Sequence, residues 1–169
     1  MLATERDFVR GTGEIELVEY GDFECPDCLE AYPHVEAWQQ ELQGKLKFVF
    51  RQMPLDQLYP IHPNATIAAQ AAEAASMQGK FWEMHKLLFE NQEKLSDEYC
   101  ASLASLLGMN EEKFLEDLES EEVVERVKQS VSEGQARGVT STPTFFINGE
   151  KVEESRNYNQ VLELLKAKL

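Results

Sequence analysis

The chain predicts an α/β fold in which a strand–helix–strand start and a hairpin–helix end enclose a long helical insertion. Three stretches carry that prediction. In the first, Leu17-Val-Glu-Tyr-Gly-Asp-Phe-Glu-Cys25-Pro26-Asp27-Cys28, an apolar strand-like run feeds two cysteines and then a helix-forming sequence. The second is a block over residues 63–137 whose apolar residues recur at helical spacing. The third, Thr144-Phe145-Phe146-Ile147-Asn148-Gly149-Glu150-Lys151-Val152, is a β-favouring run, the strongest short hairpin turn signal, and a return strand.

Taken in order, Glu14 to Tyr20 is the first core strand. Pro26 to Leu42 is a helix with Leu29, Tyr32, Val35 and Leu42 available for its inner face and Gly44 just past its end. Lys45 to Arg51 alternates cleanly as a second strand. Asn64 can cap an Ala-rich helix running through Gln78, where small side chains permit close packing. Phe81 to Asn91 is the next helical run, and Phe81, Trp82, His85 and His62 are read as core or rim of this block. Ser96 starts another helix that ends near Gly108, and Asn110 and Ser120 are further caps. On one face of the Ser96 helix Cys100 lines up with Leu103 and Leu107 and reads as a small buried hydrophobe. A final helix runs from Asn157 to Lys168. The expected division is a discontinuous sheet-bearing domain, 1–62 and 138–169, with a helical insertion at 63–137.

With 169 residues and 43% hydrophobic content the chain can bury a sizeable core. No apolar run approaches the roughly eighteen residues of a membrane span, so no membrane insertion is expected. A net charge of −15 argues against nucleic acid as a partner. Much of the acidic excess lies between Glu111 and Glu133, interleaved with Phe114, Leu118, Val123, Val127 and Val131. That is an amphipathic helix pair with a solvated face.

The chemistry sits in the first stretch. Cys25 falls at the N-terminal end of a helix, where unpaired N–H groups and the helix dipole favour a thiolate. Pro26 suits the first turn, since its missing N–H has no intrahelical partner there, and Cys28 lies one turn further in. A Cys-x-x-Cys can also be half a zinc site, but there is no second pair. Cys100 is alone in sequence, and His34, His62 and His85 lack ligand spacing, so no metal is expected. A structural disulfide across so small a loop would constrain little of the unfolded chain. The second chemical element is Thr142-Pro143, directly before the strand Thr144–Ile147. A proline there can start a strand but cannot sit inside a central one.

Together these residues resemble the thioredoxin superfamily, and within it the DsbA-like thiol–disulfide oxidoreductases, over nearly the whole chain from about Glu14. The resemblance implies a thioredoxin-like α/β fold with an inserted helical domain. It implies a cis peptide before Pro143, packed beside the dithiol, with Thr142 offering backbone hydrogen bonds to an extended substrate segment. It also places a buried acid, matched by Glu19, on the strand beneath the second cysteine, to accept a proton when Cys28 attacks. Cys25 is then the exposed nucleophile and Cys28 the resolving thiol. The expected partners are protein or peptide thiols and disulfides together with an unidentified redox partner, and no bound cofactor is expected. Two other readings use the same scaffold: a redox-switched sensor or interaction module, and a glutathione-dependent small-molecule enzyme.

Strong oxidants of that family usually carry histidine between the cysteines, whereas this chain has Asp27, with Asp22 and Glu24 nearby. A carboxylate ~7 Å from the thiolate costs on the order of 0.6–2.4 kcal/mol for an effective dielectric between about 80 and 20. The helix dipole opposes it with up to ~2 kcal/mol. Pro26 and Asp27 are thus the residues expected to tune Cys25, and reductase or isomerase work is expected over strong oxidation. An odd third cysteine fits the cytoplasm better than an oxidising compartment, the alternative being a periplasmic or extracellular protein whose leader has been removed.

Overall fold

The computed structural model describes residues 3–4, 6–56 and 61–169. The chain divides into two compact units, Met1–Gly21 with Pro26–Arg51 and Val139–Leu169, and Asp22–Cys25 with Gln52–Gly138. These boundaries differ from the expected 62/63 break. They also group the four residues ending at Cys25 with the helical unit.

The first unit carries the sheet. Its strands are β1 (Phe8–Arg10), β2 (Ile15–Gly21), β3 (Leu46–Gln52), β4 (Thr144–Ile147) and β5 (Glu150–Lys151), in the order β1-β3-β2-β4-β5. β1 pairs antiparallel with β3, β4 with β2, and β5 with β4. The hairpin turn falls on Asn148 and Gly149, whose φ of 49° and 85° are the left-handed values that make Asn-Gly the favoured pair there. All seven residues of β2 are buried, Glu16 and Glu19 included, so its apparent alternation does not mark a solvent face. Gly21 ends β2 under a steric demand. A Cβ there would lie 2.5 Å from the Phe50 ring and 3.3 Å from Oε1 of Glu19.

The first helix, α1 (Pro26–Glu41), buries Cys28, Ala31, Val35 and Trp38, with Leu42 just beyond. The inner face expected at Leu29 and Tyr32 is therefore one residue out of phase, and Leu29 is exposed. Small residues occupy the buried positions near the helix start, so the apolar stripe there is faint in sequence. The last helix, α7 (Tyr158–Lys166), packs on α1: Tyr158 stacks on His34 at 4.4 Å between ring centroids, and Trp38 meets Phe145 of β4 edge-on.

β1 escaped the sequence reading. It is tied in by Asp7, whose carboxylate accepts from Nε and Nη2 of Arg51 at 2.8 Å each, while Nη1 of Arg51 donates to the Tyr20 hydroxyl at 3.0 Å. Burial by itself would raise the Asp7 pKa. The hydrogen bonds from Arg51 and the Thr4 N–H, with the Arg51 charge, hold it below the usual value instead.

The second unit is built around α2 (Ala65–Ser76), which touches α3 (Phe81–Glu90), α4 (Asp97–Leu106), α5 (Glu111–Leu118) and α6 (Glu121–Ala136). Its buried residues are alanines apart from Glu73, which lets four neighbours approach one helix. Glu73 itself is met by Arg126 Nε at 2.9 Å and Gln52 Nε2 at 3.3 Å. Ser96, Asn110 and Ser120 cap α4, α5 and α6 as expected, and Asn157 caps α7. Asn64 makes no side-chain cap to α2. Among the described residues no helix is long and apolar enough to cross a membrane.

Asp7→Asn should destabilise the protein by about 3 kcal/mol at neutral pH, because it leaves the Arg51 guanidinium buried without its counter-charge. The depressed carboxyl gives the wild type stability that is present above the unfolded-state pKa, near 3.8, and lost as pH falls through the lower folded value. Urea unfolding at pH 7 and pH 3 would check this: the gap between wild type and variant should narrow at pH 3.

Candidate functional site

The expected site residues fall in both units, and each set is built by its own unit. In the helical unit, Asp22 to Cys25 form a segment whose polar groups are almost all engaged. Oδ1 of Asp22 accepts from the Glu24 N–H at 2.8 Å. Oδ2 accepts from the Leu55 N–H at 3.0 Å and lies 2.9 Å from Nδ1 of His62. The Asp22 carbonyl accepts from the Cys25 N–H at 3.1 Å. Glu24 takes the Asn64 N–H at 2.6 Å and its side-chain amide at 3.0 Å, and Asn64 does not cap its helix. Nε2 of Gln92 donates to the carbonyls of Phe23 at 2.8 Å and Cys25 at 3.0 Å. The Phe23 ring lies against His85 and Phe89 of α3. His85 is buried, as expected of a core residue, and so is His62.

Cys25 immediately precedes α1 and Cys28 lies in its first turn. Cys25 keeps 6% of its surface and Cys28 none. The order of accessibility follows the expectation, but Cys25 is an enclosed residue with a small opening and not the exposed one predicted. Only its position at the helix start was legible in the sequence. How much covers it depends on residues remote in the chain.

In the sheet unit, β2 and β4 pair with Glu19 opposite Phe145 and Tyr20 opposite Thr144. Carried one step further, that register sets Pro143 beside Gly21, at the end of the strand that leads to the cysteines. The Thr142–Pro143 peptide is cis. Its loop is braced by the Thr144 hydroxyl donating to the Ser141 carbonyl at 2.6 Å, and the start of β4 by the Phe145 N–H donating to Ser155 Oγ at 2.9 Å. A polar cleft of about 460 Å³ lies between this loop and residues 151–157, lined by Ser141, Pro143, Ser155, Arg156 and Asn157 among others. Thr142 and Glu19 are both buried.

Asp27 is not an isolated charge. Its Oδ2 lies 2.6 Å from Nη2 of Arg156, and its carbonyl accepts from the Tyr158 hydroxyl at 3.2 Å. Burial, and then the negative charges of Glu30, Asp27, Cys28 and Glu19, push Tyr158 up to about 12, so it remains a hydroxyl donor near neutrality. From sequence position alone, Asp22, Glu24 and Asp27 are three carboxylates opposing the thiolate. Each has its own partner instead: His62, Asn64 and Arg156. Those partners lie far along the chain, and no local pattern announces them. Cys100 is fully buried on α4. Burial, and then the charge of Asp97, push its thiol up to about 12, which makes it unreactive.

Residues 7–167 match the family model described as Thioredoxin. The chain is similar, at 39% identity over 155 residues, to part of a Na(+)/H(+) antiporter NhaA 1 of Salinispora arenicola; the match covers 90% of this chain and 23% of that protein. It therefore spans about a quarter of the length of such curated relatives. Among solved structures it is similar to a thioredoxin-like oxidoreductase from Silicibacter pomeroyi, at 26% identity and a TM-score of 0.77, covering 98% of this chain and 95% of that one. In fold it is similar to the thiol-disulfide exchange protein alpha-DsbA2 of Wolbachia pipientis, at 18% identity and a TM-score of 0.84, covering 98% and 88%. The chain belongs to the thioredoxin family that this model describes.

Arg156→Ala should make the Cys25–Cys28 disulfide less oxidising, because it leaves Asp27 uncompensated in the turn that carries the thiolate. Equilibration with a glutathione series should shift by roughly two- to fivefold, in keeping with a half-exposed ion pair. In an Asp27→Asn background the same substitution should shift it hardly at all.

Proposed function

We propose that the chain exchanges disulfides with protein or peptide substrates through Cys25 and Cys28. The observation that carries the reading is a Cys-x-x-Cys across the start of α1, combined with a cis-proline loop in register with the end of β2. In the reductant direction the Cys25 thiolate attacks one sulfur of a substrate disulfide. A Cys25–substrate S–S bond forms, the substrate S–S bond breaks, and the leaving thiolate takes a proton. Cys28 then gives its proton to Glu19 and attacks the Cys25 sulfur, which releases the second substrate thiol and leaves the Cys25–Cys28 disulfide. A dithiol redox partner resets it by the reverse exchange. In the oxidant direction the same bonds are made and broken in the opposite order. Thr142 and Pro143 serve as the backbone edge on which an extended substrate segment lies.

The reductase or isomerase direction now stands on narrower ground. The three carboxylates are partnered, so their opposition to the thiolate is weaker than expected. What remains is that Asp27, and no cation, stands between the cysteines, and we retain the direction on that ground. The cytoplasmic setting rested on a third cysteine liable to mispair; with Cys100 buried and unreactive that support falls away, and the same chemistry suits an oxidising compartment. The likeness covers about a quarter of an antiporter's length, and among the described residues no helix is long and apolar enough to cross a membrane.

Cys25→Ser should abolish turnover of insulin disulfides, whereas Cys28→Ser should accumulate a mixed disulfide with the substrate, seen by mass spectrometry. If Cys28→Ser alone prevented any adduct, the assigned roles would be reversed. A sensor would reduce insulin stoichiometrically and stop. Replacing the remaining acid between the cysteines, Asp27→His, should lower the Cys25 thiolate midpoint and make the disulfide more oxidising, by roughly 30 mV for each tenfold change in the exchange constant. An unchanged potential would remove the last basis for preferring reduction.

A further inference from the structure

We infer that Gln92 is a positioning residue for Cys25, an inference that rests on Cys25 being the reacting cysteine as proposed above. One nitrogen, Nε2, donates to both the Phe23 carbonyl at 2.8 Å and the Cys25 carbonyl at 3.0 Å. The side chain that does this is itself held. Gln92 opens a 3-10 turn, Gln92–Lys94, directly after Asn91. Nδ2 of Asn91 donates to the Leu87 carbonyl at 2.8 Å, and its Oδ1 accepts from the Tyr99 hydroxyl at 2.8 Å. The Lys94 N–H donates to the Asn91 carbonyl at 2.9 Å. The last turn of α3 and the first of α4 therefore fix the residue from which Gln92 reaches the segment.

Two consequences follow for the sulfur. The Cys25 carbonyl belongs to the peptide joined to Pro26, whose ring already fixes φ on its far side. Holding that carbonyl sets the remaining backbone freedom of Cys25 and hence the direction of its Cα–Cβ bond, from which the sulfur projects. The second consequence is protonic. A carbonyl oxygen without a donor would accept from the Cys25 S–H and so favour the thiol over the thiolate. Gln92 supplies both carbonyls with an N–H in its place. The charged groups along the same segment, Asp22, Glu24 and Asp27, are each met by their own partner, His62, Asn64 and Arg156. The contribution of Gln92 is thus separable from theirs.

The test uses Gln92→Met, which keeps the length and removes the donor, and Gln92→Glu, which turns carboxylate oxygens toward the carbonyls. Thiolate absorbance titration, iodoacetamide reaction rate at pH 7 and equilibration with glutathione are measured on the full chain. The expected results are a raised thiolate midpoint, a three- to tenfold slower reaction in Gln92→Met with a larger loss in Gln92→Glu, and an equilibrium shifted toward the disulfide. A merely structural role would lower the melting temperature and leave the midpoint and the equilibrium unmoved. That result in either folded variant overturns the inference. On the wild type, the Gln92 side-chain amide signals in a nitrogen-15 spectrum should titrate together with the Cys25 absorbance, and signals indifferent to it also overturn the inference. If wild type turns insulin over normally and the variants match it in midpoint and equilibrium, only the Gln92 inference fails. If wild type never turns insulin over, the exchange reading itself fails.

Discussion

The constraint on which the site depends is that the chain must leave a strand buried at every position and begin a helix after four residues. Gly21 is the last residue of β2 and Pro26 the first of α1. A segment that short cannot make its own secondary structure, yet its N–H and C=O groups lie where water is scarce, and an unmade hydrogen bond there costs about 1–3 kcal/mol. The molecule meets this with side chains. Asp22 covers the N–H groups of Glu24 and Leu55, and Gln92 covers the carbonyls of Phe23 and Cys25. Asp22 is spent on this task and Glu24 on Asn64, so neither is the unpartnered carboxylate that its place near Cys25 suggested.

Fixing the start of α1 also fixes its phase. Cys28, Ala31, Val35, Trp38 and Leu42 recur at three- and four-residue steps, so one buried stripe runs the length of the helix. Within the stripe Trp38 meets Phe145 of β4, and α7 packs alongside through Tyr158 and His34. The Tyr158 hydroxyl returns to the Asp27 carbonyl and Arg156 to its carboxylate. The turn carrying Cys28 is thus braced by the same helix that packs its far end. Burying Glu16 and Glu19 in β2 has a desolvation cost, and for Glu16 the Lys47 ammonium at 3.1 Å offsets part of it.

What could be read in the sequence was what is local. The Asn-Gly turn, the caps Ser96, Asn110 and Ser120, and the helix starting after Cys25 all depend on residues within a few positions of one another. Asn64 makes no cap, and its side-chain amide instead donates to Glu24, forty positions away. β1 was missed because three residues carry no periodicity, and its anchor is the Asp7–Arg51 pair, which joins the residue before β1 to β3. The phase of α1 was misread because Cys28 and Ala31 are too small to mark a hydrophobic face. The cysteines and Pro143 were marked by local motifs and Glu19 by a family resemblance, whereas the contacts that Gln92, His62 and Arg156 make leave no pattern in the chain.

The distribution of charge shows why net charge is a poor guide to the chemistry. The chain is acidic overall at −15, but α5 and α6 hold a large share of the excess on their solvated faces, where the Debye length of about 8 Å limits its reach. Beside the cysteines Asp22 is met by a histidine, Glu24 by an amide and Asp27 by a guanidinium. On the reading proposed above, thiol and thiolate at Cys25 are balanced by the helix start, by the carbonyls that Gln92 occupies and by the Asp27–Arg156 pair. Each of these acts through hydrogen bonds or a half-shielded contact, so salt should move the redox equilibrium far less than substitutions at these positions do.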